Sequence, residues 1–425
     1  MELFTTFKKD YLNYLISIIF PSIISGISVP IFKHILGPEK YGYFSIWLNA
    51  ILILVAVLSA WISQSVLRFY QESENKQVFT QKTIMICLKT QLLFFLPVFF
   101  VAYFFSNEII TSVLSVLLLI VISHQFSVLA IIQSGFLSKK VIWSELLRTT
   151  SFFVISIYLL KFTKIIFIHS LLLSSLISYF LSLIYLALQL KRKWIKTEKS
   201  ISLAIDFKLL ASFFKYGAPM SLWFIFFYLL SYIDKIFMLK FCGPVFQGNY
   251  QAIFDLIYKS IGIIISPVTT SLFPILVLAY QNSNTFEIKK LLKKILFFEI
   301  IALTVTTFMY WLFGADLLLH ILKINPTSTY KWIGFIVLLT GFIWQFSVLI
   351  NKKFELKKQS KILLFVIIVS FLAQMLFYFL FQKNKSPLIF PLGFLFSALM
   401  YLFLISFTEL ITILKQKLNP NFSSL

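Results

Sequence analysis

Charged residues are scarce in this sequence. Only 13% of its 425 residues are charged and 59% are hydrophobic, a balance that excludes a soluble globular protein. Apolar runs of about 18 residues or more recur along the chain, and runs of that length predict membrane-spanning helices. No small-residue cleavage site follows the first of them, so we expect a first span rather than a cleaved signal peptide.

The sequence also lacks the residue patterns of several kinds of active site. No glycine-rich loop ends in Gly-Lys-Ser or Gly-Lys-Thr, which argues against a pump driven by ATP in a single chain. The four histidines are scattered without the spacing of metal ligands, so we predict no metal site, no catalytic residue and no bound cofactor. Cys87 and Cys242 are predicted near opposite faces of the membrane, too far apart for a disulfide, which needs Cα atoms within about 7 Å.

The apolar runs predict an all-α integral membrane protein with twelve spans. Lys and Arg are concentrated on one side of these spans, because the predicted inner segments hold 26 of them and the predicted outer loops hold nine. By the positive-inside rule, both termini are expected in the cytoplasm and the protein in the inner, cytoplasmic membrane. The formal charge of +22 is then mainly a topology signal, so the predicted partner is the lipid bilayer and not nucleic acid. The approximate spans are 11–35, 43–67, 83–105, 109–133, 141–160, 165–190, 216–241, 249–273, 295–313, 332–350, 362–381 and 388–414.

The longest inner loop, 191–215, divides the chain into an N-terminal lobe, 1–190, and a C-terminal lobe, 216–425, with six spans each. Within this loop, 201–214 has an apolar periodicity. Two interpretations stay open for it, an amphipathic helix on the membrane surface and a solvated linker.

Two short repeats support this division. Gly-Pro followed by Gly occurs at 37–42 and again at 243–248, each time after the first span of a lobe. The pentapeptide Gln-Phe-Ser-Val-Leu occurs at 125–129 and again at 345–349, each time in a fourth span. Duplicated lobes with an even number of spans have the same orientation, so we expect a pseudo-twofold axis along the membrane normal.

Ionisable residues inside the seventh and eighth spans are the first candidates for a functional site. Asp234 and Lys235 are adjacent, and Asp255 and Lys259 lie four residues apart on one helical face. A charge at membrane depth costs at least about 2.5–3.5 kcal/mol, so it requires a partner or a water-filled cavity. We expect Asp234 and Asp255 to face each other across antiparallel helices. Ion pairs that hold two helices together and residues that line a transport cavity remain alternative interpretations.

The N-terminal lobe contributes further polar candidates at membrane depth. Arg148 forms a predicted pair with Glu145 in the fifth span, and His124 and Gln125 lie near the middle of the fourth. Asn49 occupies the position that the repeat aligns with Asp255.

Several of these segments resemble a known family. The residues from Asp206 to Pro219, the pair Asp234-Lys235 and the segment 243–250 are similar to the middle of bacterial polysaccharide-export and O-antigen flippases. The start of that family resembles 37–42 followed by Arg68. These proteins belong to the multidrug/oligosaccharidyl-lipid/polysaccharide (MOP) exporter superfamily, and the resemblance implies the two-lobed fold of MATE exporters with a central cavity and alternating access.

The resemblance also implies a function and partners. The implied substrate is undecaprenyl-pyrophosphate carrying an oligosaccharide, which moves from the inner to the outer leaflet during assembly of surface polysaccharide such as lipopolysaccharide. Lys259, Lys235 and Arg148 would then be the cations for its headgroup, although Lys235 replaces the family's more usual Arg and loses the bidentate fork. The membrane potential, a proton or sodium gradient or removal of the product would drive transport, and a polysaccharide polymerase and chain-length proteins would be partners.

Other functions remain possible on the sequence alone. In a cation-coupled multidrug exporter of the same superfamily, Asp255 or Asp234 would bind the coupling ion. A lipid II flippase is a second relative, although such flippases commonly have more than twelve spans. A membrane polysaccharide polymerase or acyltransferase is disfavoured, because no predicted outer loop is long enough to hold its catalytic residues.

Overall fold

The computed structural model describes residues 2–135, 137–194, 206–281, 285–381 and 386–418. These residues form α-helices joined by short turns, and two π-helical segments interrupt the helices at Ala56–Ala60 and Tyr310–Gly314. The helices are α1 Glu2–Val55, α2 Trp61–Phe69, α3 Lys76–Ser106, α4 Ile109–Ser134, α5 Ser138–Phe162, α6 Phe167–Trp194, α7 Phe207–Cys242, α8 Pro244–Gln281, α9 Thr285–Met309, α10 Ala315–Ile321, α11 Ser328–Leu356, α12 Ser360–Phe381 and α13 Ile389–Leu418.

A kink at Gly37 divides α1 into two helices. Gly37 has φ 78° and ψ 162°, a backbone conformation that residues with a Cβ rarely adopt. Gly243, between α7 and α8, has nearly the same angles, φ 87° and ψ 167°, and each glycine is followed by a proline that begins the next helix. The repeated Gly-Pro motif therefore builds the same turn in both lobes.

Nine helical stretches among the described residues are long and apolar enough to cross a membrane. The first of them, Ile19–Phe69, contains two predicted spans, and α5, which carries Glu145 and Arg148 within its apolar run, is not among the nine. Helix α8 is not among them either, and some of its side chains lie outside the described part of the structure. The prediction of an all-α membrane protein is confirmed, and the number of twelve spans is not exact by this measure. Many side chains of these helices are exposed, such as Phe104 with 82% and Leu92 with 75% of their surface accessible, as expected of helices that face lipid.

The connection between the two lobes is shorter than the predicted linker 191–215. Helix α6 continues to Trp194 and α7 begins at Phe207, so both ends of the predicted 191–215 linker belong to helices. The part of the proposed surface helix within 207–214 forms the first two turns of α7, and 195–205 lies outside the described residues. Asp206 caps α7 by accepting a hydrogen bond from the Leu209 amide at 3.1 Å.

The two lobes touch at the end of the molecule that carries the Gly-Pro turns, the predicted outer end. Here the second half of α1 packs closely against α8, and a Cβ on Gly248 would collide with the Pro38 carbonyl group. Nearby, Lys33 donates a hydrogen bond to the Leu322 carbonyl oxygen at 2.6 Å. The equivalent glycines of the two repeats, Gly42 and Gly248, therefore meet across the lobe interface.

A second set of contacts joins the lobes at the opposite end, the predicted inner end. Gly217 of α7 lies against the backbone of Trp61, and Ser65 donates a hydrogen bond to the Phe213 carbonyl oxygen at 3.0 Å. Lys82 of α3 bonds Asp206 at 2.7 Å, and this hydrogen bond holds the pKa of Asp206 below its ordinary value. The interface thus has separate contacts near each predicted membrane surface.

Candidate functional site

A cavity of about 500 Å³ lies inside the N-terminal lobe. We call it the N-lobe cavity, and it is enclosed by α1, α4, α5 and α6. Its walls combine hydroxyl groups, aromatic rings and one pair of opposite charges, a composition suited to a polar ligand with some apolar surface. The lining residues are Pro21, Ser22, Ile24, Ser25, Ser28, Leu48, Phe126, Leu129, Gln133, Val141, Glu145, Arg148, Thr149, Phe152, Phe153, Ser175, Ser178 and Tyr179.

Arg148 and Glu145 form the charged pair of this cavity. They lie one turn apart on α5, and the guanidinium group donates from Nε at 3.0 Å and from Nη2 at 2.7 Å to the same carboxylate oxygen. The guanidinium carbon also lies 5.0 Å from the centre of the Tyr179 ring, within the range of a cation–π contact. The pair predicted from the sequence is therefore present, and Glu145 takes two of the five N–H groups that an arginine offers.

Buried polar groups behind the pair hold Glu145 in position. Gln125 of α4 is fully buried and donates to the second Glu145 oxygen at 3.3 Å and to the Ser182 hydroxyl group at 3.5 Å. Ser182 in turn contacts Ser144 at 2.7 Å. Both carboxylate oxygens of Glu145 therefore accept hydrogen bonds. Gln125, which does not line the cavity, fixes the orientation of Glu145, and Glu145 in turn fixes that of Arg148.

Serine hydroxyl groups supply most of the remaining polar lining. Ser28 donates to the Ser25 carbonyl oxygen at 2.7 Å, and Ser175 donates to the Leu171 carbonyl oxygen at 2.9 Å. Their protons are used within their own helices, but each hydroxyl oxygen can still accept a hydrogen bond. The cavity therefore offers hydrogen-bond acceptors beside one arginine, which is the chemistry that a hydroxylated or phosphorylated ligand requires.

Asp255 lies at the lobe interface and not in the N-lobe cavity. Its carboxylate accepts a hydrogen bond from the Tyr41 hydroxyl group of the opposite lobe at 2.6 Å. Asp234 and Asp255 accept hydrogen bonds from different tyrosines, and the expectation that the two carboxylates face each other stays a prediction. Lys259 lies one turn further along α8, and its side chain is outside the described part of the structure.

Asp234 and Lys235 are enclosed within the C-terminal lobe. Asp234 is 0% exposed and accepts a hydrogen bond from Tyr250. Lys235 is 2% exposed, and its ammonium nitrogen lies 4.4 Å from the centre of the Phe254 ring. Lys235 is not among the residues that line the N-lobe cavity, and its role as a cation for the substrate headgroup stays a prediction.

Seven buried side-chain oxygens in the described part of the C-terminal lobe lack a hydrogen-bond partner, and two of them lie near each other along the chain of contacts from Gln374 to α7. These two are Oδ1 of Asp234 and Oε1 of Gln374, and both belong to fully buried side chains. The Gln374 amide donates to the carbonyl oxygen of Leu230, one turn before Asp234, at 3.0 Å. No group of three or more His, Cys, Asp or Glu residues suitable for a metal ion occurs in the described ranges.

The last two predicted site residues also lie outside the N-lobe cavity. His124 Nδ1 is 3.4 Å from the Cys87 sulfur, between α3 and α4. The Asn49 amide donates to the Ser45 carbonyl oxygen of its own helix at 2.8 Å. Sequence reasoning missed Tyr179 and Tyr41 as partners of charged groups. It also missed the serines of the sixth span, whose recurrence three or four residues apart at 171–182 could have indicated a polar helix face.

The fold is that of known transporters. A crystal structure of a MATE mutant matches with a TM-score of 0.73 and 14% identity, covering 97% of each chain. The outward-facing structure of a multidrug resistance MATE family transporter of the MOP superfamily matches with a TM-score of 0.73 and 13% identity over 96% of each chain. A MOP superfamily transporter from Pyrococcus furiosus matches with a TM-score of 0.68 and 13% identity over 95% of each chain. The chain thus has the fold of a MOP-type exporter.

The sequence also matches the model of one protein family, and the match covers more residues than either lobe contains. This is the polysaccharide biosynthesis protein family, whose match covers residues 7–279. The chain belongs to this family. A search of curated proteins finds no match. Together with the transporter fold, the family confirms the predicted resemblance to MOP polysaccharide exporters and supports a transporter rather than an enzyme.

Proposed function

We propose that this protein is a flippase for oligosaccharides linked to undecaprenyl-pyrophosphate, and that it moves them from the inner to the outer leaflet of the cytoplasmic membrane. Membership of the polysaccharide biosynthesis protein family and the MOP-type fold support a transporter in this process. The proposal includes an inner-membrane location with both termini in the cytoplasm, following the distribution of Lys and Arg. It also includes a polysaccharide polymerase and chain-length proteins as partners.

The observation on which the proposal depends is Arg148 at the wall of the N-lobe cavity. Its side chain is 25% exposed, so a ligand that enters the cavity can reach it. An anionic phosphate group could replace Glu145 as the partner of the guanidinium group, and Arg binds phosphate oxygens in the same forked geometry as carboxylate oxygens. The serine oxygens and the Tyr179 ring would then receive the sugar.

Alternating access requires the two ends of the lobe interface to open in turn. At the predicted outer end, the Tyr41–Asp255 bond and the Gly248–Pro38 contact have to separate before a ligand can leave. At the predicted inner end, the Ser65–Phe213 contact has to separate before a ligand can enter. The lobes can rock about the middle of the interface if only one set of contacts breaks at a time.

The experiment that tests this function is a flipping assay with the purified, full-length protein in liposomes. Labelled undecaprenyl-pyrophosphate oligosaccharide is supplied in the inner leaflet, and an impermeant enzyme added outside reports its arrival. We expect transport without ATP, accelerated by a proton or sodium gradient if transport is coupled to that ion. Failure to move this lipid under every gradient, together with efflux of a cationic dye, would assign the protein to the multidrug exporters.

One observation favours a cation-coupled mechanism, and with it the multidrug-exporter alternative. Asp234 Oδ1 and Gln374 Oε1 are buried acceptors without partners, and such oxygens are the ligands that a sodium ion or a proton would seek. We therefore propose Asp234 as the residue through which an ion gradient acts. Asp234→Asn should then abolish stimulation by the gradient and leave the uncoupled rate of transport in place.

A further inference from the structure

A second concave surface lies on the C-terminal lobe, between α9 and α11. We call it the α9 groove, and it has a volume of about 680 Å³. Five of its seven lining side chains are apolar or aromatic, and Thr304 uses its hydroxyl group to bond the Ile300 carbonyl oxygen at 2.9 Å. The lining residues are Leu303, Thr304, Thr307, Phe308, Trp311, Leu312 and Leu339.

The π-helical segment that follows α9 supplies Trp311 and Leu312 to the groove. This segment, Tyr310–Gly314, turns the buried Tyr310 side chain towards α11, where its hydroxyl group donates to the Lys331 carbonyl oxygen at 2.6 Å. Gly334 lies directly beneath that hydroxyl group, where a Cβ would collide with it. Tyr310 thereby acts as a wedge between the two helices, and the space beside it stays open. Short π-helical insertions of this kind are frequent at functional sites.

The position of the groove along the membrane-spanning helix and the exposure of its side chains indicate which kind of molecule occupies it. The lining residues on this side run from Leu303, near the middle of the predicted span 295–313, to Leu312 at its outer end. Phe308 and Leu312 are each 60% exposed, so the groove opens outward, away from the rest of the protein. The deep part of the groove, around Leu303, is then surrounded by hydrocarbon, where a polar headgroup would have a large desolvation cost, and only its outer end lies near the headgroups.

We propose that the α9 groove binds one acyl chain of a bilayer phospholipid. A phospholipid is preferred to the polyprenyl tail of a substrate, because the N-lobe cavity, where we place the substrate headgroup, lies in the other lobe. The chain packs against Leu303, Phe308 and Leu339 and fills the space that the Tyr310 wedge leaves open. This inference does not depend on the identity of the transported molecule.

The test uses the full-length protein in liposomes that contain phosphatidylglycerol with a photoreactive diazirine in its acyl chain. After illumination, labelled peptides are identified by mass spectrometry. We expect labelling concentrated on 303–312 and at Leu339, with competition by excess unlabelled phosphatidylglycerol. Thr304→Trp, which fills the groove from an exposed position, should lower this labelling several-fold. Val305→Trp is the matched control, since Val305 is 50% exposed on the same turn and does not line the groove.

Three outcomes would overturn the proposal. Even labelling of all lipid-facing helices, including α3 and α12, would show only a general lipid surface. Equal labelling in Thr304→Trp, Val305→Trp and the unmodified protein would exclude the groove as the binding site. Competition by polyprenyl phosphate but not by phosphatidylglycerol would assign the groove to a polyprenyl chain instead. Leu312→Ala, which removes one wall at an exposed position, provides a second variant that should weaken labelling without blocking the space.

Discussion

Both lobes contain the same Gly-Pro turn, but the charged side chains within them differ in exposure. In the N-terminal lobe, Arg148 and Glu145 keep 25% and 20% of their side chains exposed at the wall of a cavity. In the C-terminal lobe, Asp234 and Lys235 are 0% and 2% exposed. A charge that can be reached from a cavity can exchange its partner for a ligand, whereas a fully enclosed charge is held by the groups around it. This difference supports our proposal that the N-terminal lobe contacts the substrate, while the enclosed charges of the C-terminal lobe serve structure and ion coupling.

The largest effect is expected in the C-terminal lobe. Lys235→Met removes the cation beside Asp234 and leaves a buried carboxylate without compensation, which should lower the free energy of unfolding by about 3–5 kcal/mol. Thermal unfolding in detergent measures this change. The transport rate per folded molecule, measured without an ion gradient, should stay near that of the unmodified protein. Normal stability combined with lost transport would instead place substrate contact at Lys235.

For Arg148 we expect a smaller free-energy change, which lowers the transport rate and not the stability of the protein. Arg148→Ala removes hydrogen bonds from a charged donor, and a loss of about 1.5–3 kcal/mol lowers flipping by roughly ten- to one-hundredfold. Arg148→Lys, which keeps the charge and loses the fork, should retain part of the rate. Initial rates in the liposome assay, corrected for the amount of reconstituted protein, provide the measurement. An unchanged rate for Arg148→Ala would remove the N-lobe cavity from the mechanism.

Two glycines of α8, Gly248 and Gly262, allow a comparison within one helix. Gly248→Ala places a methyl group against the Pro38 backbone, and overpacking of this kind costs about 1–3 kcal/mol. We expect weaker lobe contact at the predicted outer end and slower transport. At Gly262, also on α8, no atom of the described residues lies within 4 Å of the position that a Cβ would occupy, so Gly262→Ala is the matched control. Equal effects of the two substitutions would show that the Gly248 contact is unimportant.

The smallest effect is expected at Asp206. Loss of this helix cap in Asp206→Ala should cost about 0.5–2 kcal/mol. The Lys82 hydrogen bond holds the pKa of Asp206 below its ordinary value of 3.8, so its stabilising contribution is complete above pH 3.8 and is lost as the pH falls further. Unfolding curves of the unmodified protein and of Asp206→Ala should therefore differ at neutral pH and converge in acid.

Composition and hydrophobic runs were enough to predict the fold class, because a bilayer permits few arrangements of the backbone. The Gly-Pro repeat also predicted two equivalent turns, and Gly37 and Gly243 adopt nearly the same backbone conformation. The site was harder to predict. Spacing along one helix identified the Glu145–Arg148 pair, but it could not show that Tyr41 of the other lobe binds Asp255. Partners in different helices depend on packing, and a single sequence contains no direct record of packing.

The central claim is that Arg148 contacts the substrate and is not merely half of a structural ion pair. A charge swap tests this claim directly, because Glu145→Arg combined with Arg148→Glu keeps one pair of opposite charges on the same turn of α5. The swapped protein should fold and insert like the unmodified protein, as judged by thermal unfolding. In the flipping assay we expect transport to stay as low as in Arg148→Ala, because the cation no longer lies over Tyr179. Restoration of transport by the swap would show that the pair is structural and would contradict the account.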